Sequence, residues 1–173
     1  MSSRITAPLS PVEKLCTAHD TGPFDCGHEE LNRFLKKFAL AGQQANSAQT
    51  YVATRGDVVV GYYSLAVGGA AHRTVPARVG KGLARHLVPV MVLARLAVDR
   101  REQGLGIGKG LLKDALLRTA QAADIAGIRA LFVVAKDDQA KAFYEHFAFD
   151  SSPTDPYRLF LVMKDLKKFL RND

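Results

Sequence analysis

The feature that most constrains this chain is a run of alternate glycines, Gly104, Gly106, Gly108 and Gly110, between two segments of different character. Before it, Val88–Val98 is almost wholly apolar, with Arg95 as its one charge, and reads as a long central strand. After it, Gly106–Ala123 places Leu111, Leu112, Ala115, Leu116, Ala120 and Ala123 on one helical face. A strand that runs through glycines into a helix leaves backbone N–H groups unobstructed where the helix dipole favours negative charge. That arrangement suits a phosphate or pyrophosphate. Two commoner phosphate motifs fail. A Walker A loop needs Ser or Thr after Gly108-Lys109, where Gly110 stands, and Gly at position 103, which is Gln. The dinucleotide fingerprint meets Lys109 when started at Gly104 and Leu111 when started at Gly106. A glycine turn with no ligand is the plain alternative, and four alternate glycines at such a junction argue against it.

At 173 residues the chain has the length of one domain, residues 1–173, and enough residues for a core without disulfides or metal. Cys16 and Cys26 lack the spacing of a zinc site, so no metal is expected. No apolar run approaches the length of a membrane helix, and MSSRITAPLS lacks the apolar centre of a secretory signal, so a cytoplasmic protein away from membranes is expected. The net charge of +7 suggests an anionic partner.

The first ten residues read as a short strand or arm, and Pro11–Ala18 as a short helix. Leu31, Phe34, Leu35 and Phe38 fall at i, i+3, i+4, i+7 of an amphipathic helix whose outer face carries Arg33, Lys36 and Lys37. Thr50–Thr54 and Val58–Val67 form a hairpin around Arg55-Gly56-Asp57, and Gly68-Gly69 ends it. Ala71–His86 is a basic loop holding a short helix. Ile128–Ala135 is a strand, and Asp137 or Asp138 caps a helix with Ala140, Phe143, Tyr144 and Phe147 on one face. Tyr157–Met163 is a last strand, followed by a basic tail of helical tendency. A meander followed by strand–helix–strand–helix–strand indicates a mixed α/β or α+β sheet flanked by helices.

Gln103-Gly-Leu-Gly106-Ile-Gly108 resembles the [QR]-x-x-G-x-[GA] signature of the GNAT acetyltransferase superfamily. The same pattern fits two residues earlier from Arg101, but Leu111-Leu112 continues the helix better in the later register. Leu93–Val98 resembles that family's cofactor strand, and Ala142–Phe149 its later helix-and-strand motif, with Ala148 where the family usually has glycine. The resemblance implies the GNAT fold, with acetyl-CoA in a cleft where two parallel strands splay. Backbone groups of Ala97 and Val98 would bond the pantetheine arm. The amides of Gly104, Leu105, Gly106, Ile107, Gly108 and Lys109, in the loop opened by Gln103, would hold the pyrophosphate, with charge from Arg101 or Lys109.

Acetyl transfer to an amine needs a proton for the departing thiolate. Tyr144 suits that task, since a phenol of pKa ~10 matches such a leaving group. On residue pattern alone Tyr144 reads as a core residue, and the family position makes it the expected acid. No strong base stands out: Glu102 lies beside the loop, Glu145 faces solvent, and His72 and His86 sit in the basic loop. An α-amino group of pKa ~7.7–8.0 needs far less help than a lysine at ~10.4, which favours an α-amine substrate.

Phe24–Leu35, Gln43–Val52 and Val60–Leu65 are similar to the GNAT toxins of bacterial toxin–antitoxin pairs, which extends the resemblance over roughly residues 25 to 165. It implies acetylation of the α-amino group of aminoacyl-tRNA and arrest of translation. It also implies a ribbon–helix–helix antitoxin, operator DNA bound only through the complex, and a homodimer. Lys36, Lys37, Arg78, Lys81, Arg85 and Arg95 are the expected tRNA contacts. Arg95 interrupts an apolar strand, where an unpaired charge is costly, so either it serves the cleft or tRNA, or it pairs with Asp99 or Glu102. The competing readings are a GNAT enzyme of small amines or protein N-termini, and a binding module on a relic fold.

Overall fold

The computed structural model describes residues 7–171. Seven strands form one sheet in the order β1-β2-β3-β4-β5-β7-β6: β1 (Glu13–Lys14), β2 (Gln49–Arg55), β3 (Val58–Ala70), β4 (Val88–Val98), β5 (Ala130–Val134), β6 (Asp150–Ser151) and β7 (Arg158–Val162). The helices are α1 (Glu29–Arg33), α2 (Ala39–Gln44), α3 (Ala77–Gly80), α4 (Ile107–Ala123), α5 (Asp138–His146) and α6 (Met163–Arg171), with a π-helical turn over Phe34–Phe38 and a 3-10 turn over His72–Thr74. β1–β2, β2–β3, β5–β7 and β6–β7 are antiparallel, whereas β4 and β5 are parallel. The mixed sheet expected from the order of elements is present.

Three local expectations are corrected, and one strand is added. Glu13–Lys14 is a strand rather than part of a helix, because its backbone pairs with Tyr51 and Val52 of β2. The helix expected over Leu31–Phe38 widens into the π turn, which shifts the phase and leaves Phe38 50% exposed. β3 does not stop at Gly68-Gly69 but runs to Ala70. There a Cβ on Gly68 would lie 3.0 Å from Val92 Cγ2, so glycine permits close approach instead of ending the strand. β6 is a two-residue strand that no sequence pattern indicated. Of the arm expected over the first ten residues, positions 1–6 lie outside the described residues, and Leu9 makes an antiparallel bridge to Arg55.

The chain divides into two compact units. Unit 1 comprises residues up to Ala66 together with Arg95–Ala115, and unit 2 comprises Val67–Ala94 and Leu116 onward. Unit 1 is centred on Phe24, Leu35, Val52, Val59, Tyr62 and Ala97. Phe24 meets the Tyr62 ring edge-on at 5.6 Å, and the buried Tyr62 hydroxyl donates to Leu31 O at 2.8 Å, so this phenol is satisfied as well as packed. Unit 2 is centred on Val79, Val88, Val90, Ala130, Phe132 and Phe160, with the last two rings stacked at 4.7 Å.

Candidate active site

In unit 1 the end of β4 turns through a tightly tied segment before the glycines. Asp99 is 2% exposed and accepts from the backbone N–H groups of Arg101 (2.9 Å) and Asp25 (3.2 Å). Its two oxygens also accept from Arg101 Nε at 2.9 Å and Nη2 at 2.7 Å. A buried carboxylate surrounded by four donors is both neutralised and fixed in place. Asp25, which also pairs with Arg100 at 2.8 Å, is held below the usual carboxylate range by the Gly27 N–H, the Asn32 amide and Arg100. Glu102 is buried and pairs with Arg55 at 3.0 Å, and Gln103 Nε2 donates to Val98 O at 3.0 Å. Arg101 Nη2 further donates to Pro23 O at 2.8 Å, so the guanidinium expected to assist a phosphate is committed to its own loop. Lys109, exposed at the first turn of α4, is the loop cation that has no ion pair among the described residues.

The glycines that follow are open. Gly104 and Gly106 both have φ of +84°, a region that glycine enters without steric cost, and a Cβ at either would meet nothing within 4 Å. The chain here is exposed from Gln103 to Gly106, Ile107 is buried, and α4 starts with Gly110 N donating to Gly106 O at 3.0 Å. Tight turn, unobstructed amides and helix start thus coincide, as an anion cradle requires.

A residue outside the expected set builds this geometry. On Gly61, in β3, a Cβ would lie 2.9 Å from Leu111 Cδ1, 3.1 Å from Ile107 Cγ2 and 3.4 Å from Ala97 O. The first turn of α4 therefore rests directly on the backbone of β3. A glycine within an otherwise apolar strand was the signal for it.

In unit 2, β5 pairs with β4 over Val90–Leu93 and Ala130–Val133, and β4 continues to Val98. Asp137 caps α5 through Oδ1 to Ala140 N at 2.8 Å, which settles the choice between Asp137 and Asp138. Tyr144 is 6% exposed, and burial pushes its phenol above the ordinary tyrosine range. The end of α5 fixes it. Phe149 N donates to Tyr144 O at 3.3 Å and Ala148 N to Glu145 O at 3.0 Å, the two bonds of a Schellman cap. The ring of Phe149 packs edge-on against Tyr144 at 5.4 Å. The motif requires a left-handed residue between them, and Ala148 adopts it at φ +67°.

The expected tRNA contacts fall into different environments. Lys36 and Lys37 are exposed on the π turn, and Lys81 and Arg85 are exposed in the basic loop. Arg78 is instead held by Asp165 at 2.7 Å and Asp150 at 3.3 Å. Arg95 pairs with neither Asp99 nor Glu102, which are taken by Arg101 and Arg55. Its guanidinium lies 3.6 Å from the centre of the Phe34 ring, a cation–π contact. Phe34 in turn stacks on Tyr62 at 6.2 Å, so the π turn presents an aromatic seat to the one charge of β4. Of the weak base candidates, His72 Nε2 lies 3.1 Å from Gly80 O and Glu145 pairs with Lys141 at 3.2 Å.

The acetyltransferase (GNAT) family matches residues 14–149, which span the cofactor strand, the glycine loop and Tyr144. The chain belongs to the GNAT acetyltransferases. Its fold is the GNAT fold, a mixed seven-stranded sheet flanked by helices. The chain is 45% identical over 161 residues to the "tRNA-acetylating toxin" of Mycobacterium tuberculosis (strain ATCC 25618 / H37Rv), covering 93% of this chain and 96% of that protein. Among solved structures, AtaT complexed with acetyl-methionyl-tRNAfMet superposes with a TM-score of 0.87 at 28% identity, covering 94% of this chain and 99% of that one. A tyrosine-to-phenylalanine mutant of AtaT, bound to the C-terminus of the antitoxin AtaR and acetyl-CoA, superposes with a TM-score of 0.80 at 28% identity, over 95% and 99% of the two chains. The AtaT–AtaR complex bound to DNA gives a TM-score of 0.75 at 29% identity, over 93% and 99%. Among the described residues no helix is long and apolar enough to cross a membrane.

Proposed function

We propose that this GNAT enzyme is a toxin that moves the acetyl group of acetyl-CoA onto the α-amino group of aminoacyl-tRNA. The observation that carries the reading is the glycine loop at the start of α4. Its positive-φ glycines, with open space beside them, fit a diphosphate approaching the backbone. The amides from Gly104 to Lys109 would bind it, Lys109 would add charge, and the backbone of Ala97 and Val98 would align the pantetheine arm. Gln103 and Arg101 serve the loop's shape through Val98 O and Asp99.

The reaction forms an amide bond at the substrate nitrogen and breaks the thioester. The attacking amine must be neutral, and an aminoacyl ester's α-amine satisfies this at neutral pH without a strong base. Tyr144, kept protonated by burial, gives its proton to the departing thiolate and regains one from the amine through solvent. Once acetylated, the nitrogen can no longer attack a peptidyl ester, and translation stops.

Lys36, Lys37, Lys81, Arg85 and Arg95 are proposed to contact tRNA, and Arg78 to hold the basic loop against α6 and β6. A ribbon–helix–helix antitoxin, repression of the operon through the complex, a homodimer and action in the cytoplasm complete the reading. The AtaT complexes with AtaR, and with AtaR and DNA, support the partners. The test is a cell-free translation reaction given purified protein. It should halt only when acetyl-CoA is present and resume when fresh aminoacyl-tRNA is added after the protein has been removed. Arrest without acetyl-CoA would overturn the proposal.

A further inference from the structure

We infer that the C-terminal helix α6 is a second contact for tRNA, gripping its phosphate backbone. This inference rests on the tRNA reading above. Lys164, Lys167, Lys168 and Arg171 fall at i, i+3, i+4, i+7, which places them on one face of α6, and all four are exposed. The opposite face holds the helix in place. Leu166 is fully buried, and Phe169 packs on Phe147 at 5.9 Å. Phe147 is the residue at which α5, the Tyr144 helix, ends, so the basic face is anchored directly to the element that carries the proposed acid.

The stripe is not neutralised locally. The acid within the helix, Asp165, is bound by Arg78 at 2.7 Å, and Arg78 also takes Asp150. Lys167 reaches the exposed Asp124 at 3.8 Å, a long surface pair of little strength. Among the described residues Lys164, Lys168 and Arg171 have no carboxylate within ion-pair distance. The charge of the chain points the same way. Unit 2 holds 13 Lys and Arg against 8 Asp and Glu, so it carries +5 of the +7 net charge.

Four cations along about 10 Å of helix need a partner with closely spaced anions in a row. Each strand of a nucleic-acid duplex offers one charge per ~3.4 Å of axis, which matches the roughly 3.5 Å of helix between successive cations. Such contacts carry no sequence information and set affinity and register instead. A surface of this kind would let the enzyme hold different charged tRNAs through their shared backbone.

The experiment uses the full chain with all four residues changed to glutamine (Lys164→Gln, Lys167→Gln, Lys168→Gln, Arg171→Gln), which retains helix propensity and leaves the buried face intact. Binding of deacylated tRNA is measured between roughly 50 and 200 mM salt. The slope of log Kd against log salt should become shallower by about 0.7–0.9 per lost contact, close to 3 in all. The KM for aminoacyl-tRNA should rise at least about tenfold, with kcat and acetyl-CoA binding unchanged, and an all-arginine version of the stripe should restore the wild-type slope. A salt slope and KM equal to wild type would overturn the inference. Because the binding readout needs no catalysis, a wild-type protein that binds tRNA through the stripe but fails to acetylate it would refute only the proposed reaction.

Discussion

Replacing Ala148 with glycine should stabilise the protein, an unusual direction for a substitution next to a proposed catalytic helix. Ala148 sits at φ +67° in the Schellman cap of α5 and is exposed, so its methyl group makes little packing contribution to lose. The left-handed conformation costs an L-residue about 1–2 kcal/mol relative to glycine. Glycine in turn loses more freedom on folding, which takes back roughly 0.4–1 kcal/mol. The net gain is about 0.5–1 kcal/mol, and for a chain of this size that is a rise in Tm of about 1–4 °C. Urea unfolding of Ala148→Gly beside wild type and Ala148→Val measures it. The valine, β-branched at a left-handed position, should fall below wild type. A glycine variant less stable than wild type would refute the account of this cap, and with it the argument that the cap positions Tyr144.

Gly61→Ala should cost about 1–3 kcal/mol and raise the KM for acetyl-CoA, because its Cβ meets Leu111 at 2.9 Å and displaces the first turn of α4; a KM equal to wild type would show that the glycine loop is indifferent to that packing. Tyr144→Phe should keep the fold and acetyl-CoA binding but lower kcat about 10²–10⁴-fold. Since burial raises the Tyr144 pKa, the phenol stays protonated through the alkaline range, so the wild-type rate should rise as the substrate amine deprotonates and show no falling limb up to about pH 9.5. A fall near pH 8 in the wild type would assign the acid to another group.

The glycine loop was legible in the sequence because it combines two local signals, alternate glycines and a change from strand to helix period. The bounds of β4 and the start of α4 followed directly from that change. Tyr144 was singled out only through family position, since burial on an apolar helix face looks the same for an acid and a core residue. What the sequence hid depends on distant partners. Nothing local tells that Asp99 takes up Arg101, that Glu102 takes up Arg55, or that Arg95 finds Phe34 instead of a carboxylate. The π turn was hidden as well, because Leu31, Phe34, Leu35 and Phe38 keep a perfect α-helical spacing while the backbone departs from it. Ala148 shows the reverse case: its place in the motif called for glycine, and the structure supplies the reason in its φ of +67°.

The most direct test of the central claim is the chemical position of the transferred acetyl group. Aminoacyl-tRNA is treated with the purified protein and acetyl-CoA bearing a labelled acetyl group, then hydrolysed at the ester, and the released amino acid is analysed by mass spectrometry beside a Tyr144→Phe reaction. The account predicts labelled N-acetyl amino acid from wild type, far less from the variant, and no label on deacylated tRNA. Unmodified amino acid, or label that remains on the RNA after hydrolysis, would contradict it.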